Sequence, residues 1–190
     1  FLMACIAGST PDTLSFENVE TNLNISNWYV NASGTYGEDY VRGFERIILG
    51  SGDDSLTTYY YGTSWVDGGA GNDILTGNRY NDTIFGGAGN DSINGGNGND
   101  ELNGGDGDDS IWGSGNDDTI LGGAGNDIIS GDSGNGTFDG GDGLDAYAVL
   151  DSYSPTGSGF NIDLSTNWQA SFAYYDNNAT SGLTDLTLSN

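Results

Sequence analysis

The chain has 190 residues, of which 34 are glycine and two are proline, and its net charge of −25 comes from 28 acidic residues against three arginines, with no lysine or histidine. Glycine at this density excludes an ordinary helical or doubly wound domain. The charge excludes a basic surface for nucleic acid or anionic lipid, and the lack of histidine excludes a His-based zinc protease motif and any imidazole general base.

From the N-terminus, Phe1 to Gly8 is short and apolar but has no basic flank, which makes a poor secretory signal, and Leu2-Met3-Ala4-Cys5 is only loosely like a lipoprotein cleavage box. Cys5 is the single thiol and cannot close an internal disulfide, so a metal is expected to replace that staple. Nowhere does the chain reach the run of about 18 apolar residues that a membrane helix requires, and no membrane insertion is expected. Residues 1–49 are read as an N-terminal flanking and capping β segment. In it, Ser15-Phe16-Glu17-Asn18-Val19 and Gly43-Phe44-Glu45-Arg46-Ile47-Ile48-Leu49 look like strand starts, separated by an aromatic, Asn-rich, strand-like stretch. Gly50-Ser51-Gly52-Asp53-Asp54-Ser55-Leu56 reads as a repeat unit with one residue lost, and Tyr59 to Val66 as a degenerate unit, the two together forming a first coil.

From Gly68 the glycines recur every nine residues, at Gly77, Gly86, Gly95, Gly104, Gly113, Gly122, Gly131 and Gly140, so nine units fill 68–148 without an insertion. Their sixth position is Asp73, Asp82, Asp91, Asp100, Asp109, Asp118, Asp127, Gly136 and Asp145. Their eighth is Leu75, Ile84, Ile93, Leu102, Ile111, Ile120, Ile129, Phe138 and Tyr147, never polar. A disordered low-complexity acidic chain has no reason to keep such a row, nor four tryptophans and eleven tyrosines. The pattern predicts a six-residue Gly-rich turn followed by a three-residue strand whose middle side chain points inward. A unit this small cannot bury its own hydrophobe, so units must stack into a solenoid, two per coil, of roughly 20 Å at the ~4.8 Å strand spacing. The fold class expected is all-β, a parallel β-roll over 50–148 with flanking capping strands. Residues 149–190 form the C-terminal capping segment, in which Phe160-Asn161-Ile162-Asp163-Leu164 and Leu183 to Leu188 alternate as half-buried strands do. The end at Ser189-Asn190, without a charged tail, is read as the end of a piece of something longer.

The chemistry lies in the turns. Calcium takes six to eight oxygen ligands, carboxylates and backbone carbonyls alike. Glycines at the first, second and fourth positions let the turn present its carbonyls, and the sixth-position aspartate adds charge at a fixed offset. The candidate ligand turns are Gly68, Gly69, Gly71 with Asp73; Gly86, Gly87, Gly89 with Asp91; Gly95, Gly96, Gly98 with Asp100; Gly104, Gly105, Gly107 with Asp109; Gly122, Gly123, Gly125 with Asp127; and Gly140, Gly141, Gly143 with Asp145, joined by Asp82 and Asp118 from less complete units. Units two apart stack, which places Asp73, Asp91, Asp109, Asp127 and Asp145 on one edge and Asp82, Asp100 and Asp118 on the other. Between 68 and 148 there are fifteen acidic residues and one arginine, and the net −14 would be cancelled by about seven divalent ions.

Five of these units match, at every defined position, the consensus Gly-Gly-x-Gly-x-Asp-x-(large apolar)-x, and the chain resembles the RTX (repeats-in-toxin) family, that of the haemolysin-type calcium-binding repeat. The resemblance covers about half of the chain. It implies a parallel β-roll with calcium held between the loops of units two apart, by turn carbonyls and the aspartates. It also implies type I secretion from a bacterium and folding outside the cell. Two units depart from the pattern: Gly77-Asn78-Arg79-Tyr80-Asn81-Asp82 loses two glycines and gains a cation, and the unit 131–139 carries Gly136 for its aspartate. Four sites are therefore expected on the first edge, at least one on the second and two partial ones at the ends, about five to seven Ca²⁺ in all. Trp112, Ile74 and Ile128 share an outward face, as scattered exposed apolar residues often do. The third position is never threonine, which disfavours an ice-binding array. Carboxylate pairs of glycosidase type abound, but nearly all lie in the calcium register, and Ser or Cys nucleophiles have no histidine to activate them. The function expected is a calcium-binding module of a larger exported protein, secreted or at the cell surface, without catalysis. The alternative is a self-associating unit of a surface layer or filament.

Overall fold

The structure, a computed structural model, describes residues 13–17, 20, 23–26, 29–32, 39–40, 45–58, 62–131 and 136–149, together with strands at 161–163, 173–174 and 187–189. Cys5 and its apolar neighbours, and most of the expected C-terminal segment, lie outside the described residues. Among those described there is no helix; all nineteen strands belong to two sheets, of nine and ten strands. The strands from Arg46 onward pair in parallel with the strand two places along the chain, as in Glu101↔Thr83 and Ser92↔Ser110, which is the two-unit coil expected from the repeat. The antiparallel pairing is confined to Leu23–Ser26, Tyr29–Ala32 and Asp39–Tyr40 near the start. The chain thus folds as a parallel β-solenoid, with consecutive units facing each other and alternate units stacked.

Eighth-position side chains fill the space between the sheets. Ile93, Leu102, Ile111 and Ile120 have no exposed surface, and Leu75, Ile84 and Ile129 have almost none. The strand register continues past the repeats: Leu14 pairs with Ile47 and Ile47 with Val66, all three buried, while the backbone of Phe138 pairs with that of Ile162 and Ile162 with Leu188. The piece beginning at Ser15 is not a strand start, because the strand is Thr13–Ser15 and ends there. Ile74 and Ile128 are about half exposed on the ten-stranded sheet that also carries Trp112.

Strands are longer than the repeat pattern suggests. Thr83–Ala88, Glu101–Asp106 and Thr119–Ala124 each run for six residues, from the seventh position of one unit to the third of the next. Their alternating burial places two residues inward, the large apolar one and the first glycine of the following unit, such as Gly86. The true turn is only the three residues between. At its start Gly107 has φ +130°, and a Cβ there would run into the carbonyl oxygen of Gly89 one coil back, so glycine is required on both counts. The unit 113–121 places Ser114 (φ 68°) and Asn116 (φ 85°) where other units have glycine, a conformation unfavourable for residues with a Cβ.

The first coil is also built differently from the sequence reading. Gly50 and Gly52 meet Gly69 and Gly71 just as those two meet Gly87 and Gly89, so Leu49 takes the first position of a complete nine-residue unit. No residue is lost there. The extra residue falls in the unit that follows, which makes Asp54 and Asp73 nineteen residues apart instead of eighteen.

Candidate metal centre

Two ladders of aspartate run along the edges of the roll. On the first, the amide of Asp73 donates to Asp91 Oδ1 at 2.8 Å, Asp91 to Asp109 at 2.7 Å, Asp109 to Asp127 at 2.8 Å and Asp127 to Asp145 at 2.9 Å. Asp54, which the repeat pattern did not single out, heads this ladder, its amide donating to Asp73 Oδ1 at 2.8 Å. On the second edge the amides of Ser64, Asp82 and Asp100 donate to Asp82, Asp100 and Asp118 in turn. The structure thus separates the aspartates into the two rows that the two-unit coil predicts. Every one of these aspartates is buried.

From Asp73 and Asp82 onward one oxygen of each carboxylate is spent on the ladder, which leaves the other to be accounted for. The Oδ2 atoms of Asp73, Asp91, Asp100, Asp109, Asp127 and Asp145 are buried with no hydrogen-bond partner. Each lies against the first glycine of its own unit. Around Gly68, Gly86, Gly104 and Gly122 the carbonyl oxygen of the next coil's first glycine, Gly86, Gly104, Gly122 or Gly140, converges on the same small space, which a Cβ would fill. The carbonyls of the second and fourth glycines, among them Gly69, Gly71, Gly105, Gly123 and Gly125, pack instead on the equivalent α-carbon one coil further on, as at Gly87, Gly89, Gly107, Gly141 and Gly143. On the second edge Gly95 and Gly113 lie against the Oδ2 of Asp100 and Asp118, while Gly96 and Gly98 pack on the backbone of Asn78 and Tyr80.

A buried carboxylate oxygen without a donor is expensive, and beside a carbonyl oxygen it is more so. Burial accordingly raises the carboxyl pKa to about 7 at Asp73 and Asp100 and to about 6 at Asp91, Asp109, Asp118 and Asp127, against an ordinary 3.8. Backbone amides lower these values in part, and neighbouring aspartates raise most of them further. An oxygen-only cavity with excess negative charge suits a hard divalent cation. Among the described residues no three His, Cys, Asp or Glu side chains cluster as a metal group, so carbonyl oxygens must complete any ligand set.

The two departing units behave differently. Asp82 has both oxygens engaged, Oδ1 by the amide of Ser64 at 2.6 Å and Oδ2 by the amide of Asn78 at 2.7 Å, so it lacks the orphan oxygen of its neighbours. At Gly136, where the pattern has its one missing aspartate, the Phe138 ring lies against the glycine.

A family model, the RTX calcium-binding nonapeptide repeat, matches the chain in four copies at residues 67–102, 95–129, 103–138 and 112–146. The comparison with curated proteins finds no match. With stacked nine-residue units, buried aspartate ladders and oxygen-lined gaps between coils, the stretch 67–146 of this chain belongs to the RTX calcium-binding nonapeptide repeat family.

Proposed function

We propose that this chain is a calcium-dependent folding and stabilising module, without catalytic activity, of a larger protein exported by type I secretion, and that it folds outside the cell when calcium binds. The observation that carries this reading is the set of six buried Oδ2 atoms that no group of the protein satisfies. Four gaps of the first edge, between the units starting at Gly68, Gly86, Gly104, Gly122 and Gly140, combine such an oxygen with a first-glycine carbonyl. In these gaps Asp73, Asp91, Asp109 and Asp127 bring the charge, and the ladder amides hold each carboxylate in place. Asp145 ends that edge, while on the second Asp100 has the same unpartnered oxygen and Asp118 lies in the same way against the first glycine of its unit. The bound ions supply positive charge between coils that otherwise repel.

Isolated coils bury too little surface to offset chain entropy. The chain should therefore be largely unfolded in chelator and gain β structure cooperatively on calcium addition, with a titration steeper than a single-site curve because each ion is shared by adjacent coils. Magnesium, which demands stricter octahedral geometry, should substitute poorly. Circular dichroism against free calcium measures this, and full folding in chelator would refute it. Light scattering on the same samples separates a monomeric module from a filament-forming unit.

A further inference from the structure

The gap between the unit that begins at Thr58 and the unit 77–85 contains a nitrogen where the gaps of the first edge from Asp73 to Asp127 present unpaired oxygens. The Asn78 side-chain Nδ2 lies 3.0 Å from Ser64 Oγ and 3.2 Å from Thr58 Oγ1, from the Gly62 carbonyl oxygen and from Asp82 Oδ1. An amide nitrogen carries two hydrogens, so four surrounding oxygens are more acceptors than it can serve at once. Such a cage of oxygens is what a cation collects. Which end of the amide faces the cage is fixed by its other end, because Asn78 Oδ1 accepts the Tyr80 amide at 2.9 Å. The Asn78 backbone amide then takes Asp82 Oδ2 at 2.7 Å. Arg79, the cation that this unit adds, lies instead over the Tyr80 ring, 5.2 Å from its centroid, with an N–H to the Tyr80 hydroxyl at 3.2 Å.

We infer that the Asn78 side-chain amide is a built-in substitute for one calcium ion: it joins the first two coils of the second edge without metal, and this gap takes no cation. The inference rests on the calcium reading of the other gaps. The residues here do not fit a metal as they stand, since the partially positive NH₂ group already sits among the oxygens an ion would need and the nearby carboxylate is fully engaged. The substitution is also local. In the gaps of the first edge the coil above has glycine at its second position, as at Gly87, Gly105 and Gly123, and the coil below brings the unpartnered carboxylate oxygen of Asp73, Asp91 or Asp109, where this gap has Asn78 and Ser64.

The test counts calcium ions per chain, by equilibrium dialysis at saturating calcium, on the full chain and on two variants. Asn78→Gly restores the residue that most units have at the second position and empties the cage. Asn78→Asp keeps the side-chain shape, removes both N–H donors and adds a carboxylate. Each variant should bind one ion more than the unsubstituted chain, a gain that mere damage to the fold cannot produce. Equal or lower counts in both variants, with calcium still bound by the parent, would overturn the inference and leave the calcium reading intact. No calcium bound by any of the three chains would overturn both.

Discussion

Ile111 is fully buried and pairs with Ile93 on one side and Ile129 on the other, in a core that is one side chain wide on each sheet. Trimming such a residue to alanine costs about 2–5 kcal/mol, and a carboxylate in its place adds an unpaired buried charge. Ile111→Asp should therefore abolish calcium-induced folding, whereas Thr119→Ala, at an exposed outward position, should fold like the parent; circular dichroism at saturating calcium decides, and a normally folded Ile111→Asp would sink the register. This row was legible in the sequence because a buried strand position tolerates no polar residue, so the eighth position is marked in every unit from Leu75 to Tyr147. Asp54 and Asn78 were not legible as site residues. Their place depends on a single extra residue between Leu56 and Val66, and the repeat alone does not say which unit holds it.

At the level of one turn and its strand, the sequence placed the aspartates in the correct rows but drew the strands too short. Paired glycines carry no strand propensity, yet stacking on the coils above and below imposes an extended backbone on positions one to three, as in Thr83–Ala88. The same stacking leaves Asp109 with one oxygen bound by the Asp91 amide and the other unpartnered beside the Gly122 carbonyl, while Asp82 has both of its oxygens held by protein groups. Replacing Asp109 by asparagine should raise the calcium concentration at mid-transition by at least about tenfold, the scale on which partners of a metal site act, and lower the steepness. Asp82→Asn should shift the midpoint less, since both Asp82 oxygens already have protein donors. The two variants titrated side by side check this, and coincident curves would show that the first edge has no special claim on the metal.

Across the whole molecule the net charge of −25 and the buried aspartates act in the same direction. For Asp73, Asp91, Asp100, Asp109, Asp118 and Asp127 the folded pKa is about 6 to 7, above the ordinary 3.8. Between pH 4 and 7 the folded chain thus binds more protons than the unfolded one, so metal-free stability falls as pH rises through this window and is recovered as pH falls. Protons, like calcium, relieve the carboxylates, but they do not bridge coils. In chelator the chain should gain β structure as pH is lowered from 8 to about 4.5, without the cooperativity of the calcium transition. At saturating calcium the dependence flattens above about pH 5, because the unfolded chain and the calcium-loaded chain are then both deprotonated, and only below saturation do protons still help folding. The calcium midpoint read by folding should rise between pH 5 and pH 7 and level off by about pH 8, where the carboxylates are ionised in either state. Circular dichroism across pH, with chelator and at several fixed calcium concentrations, reads both slopes. A chain that stays unfolded in chelator down to pH 4.5, together with a calcium midpoint that does not move with pH, would show that burial of these carboxylates is not what the metal offsets.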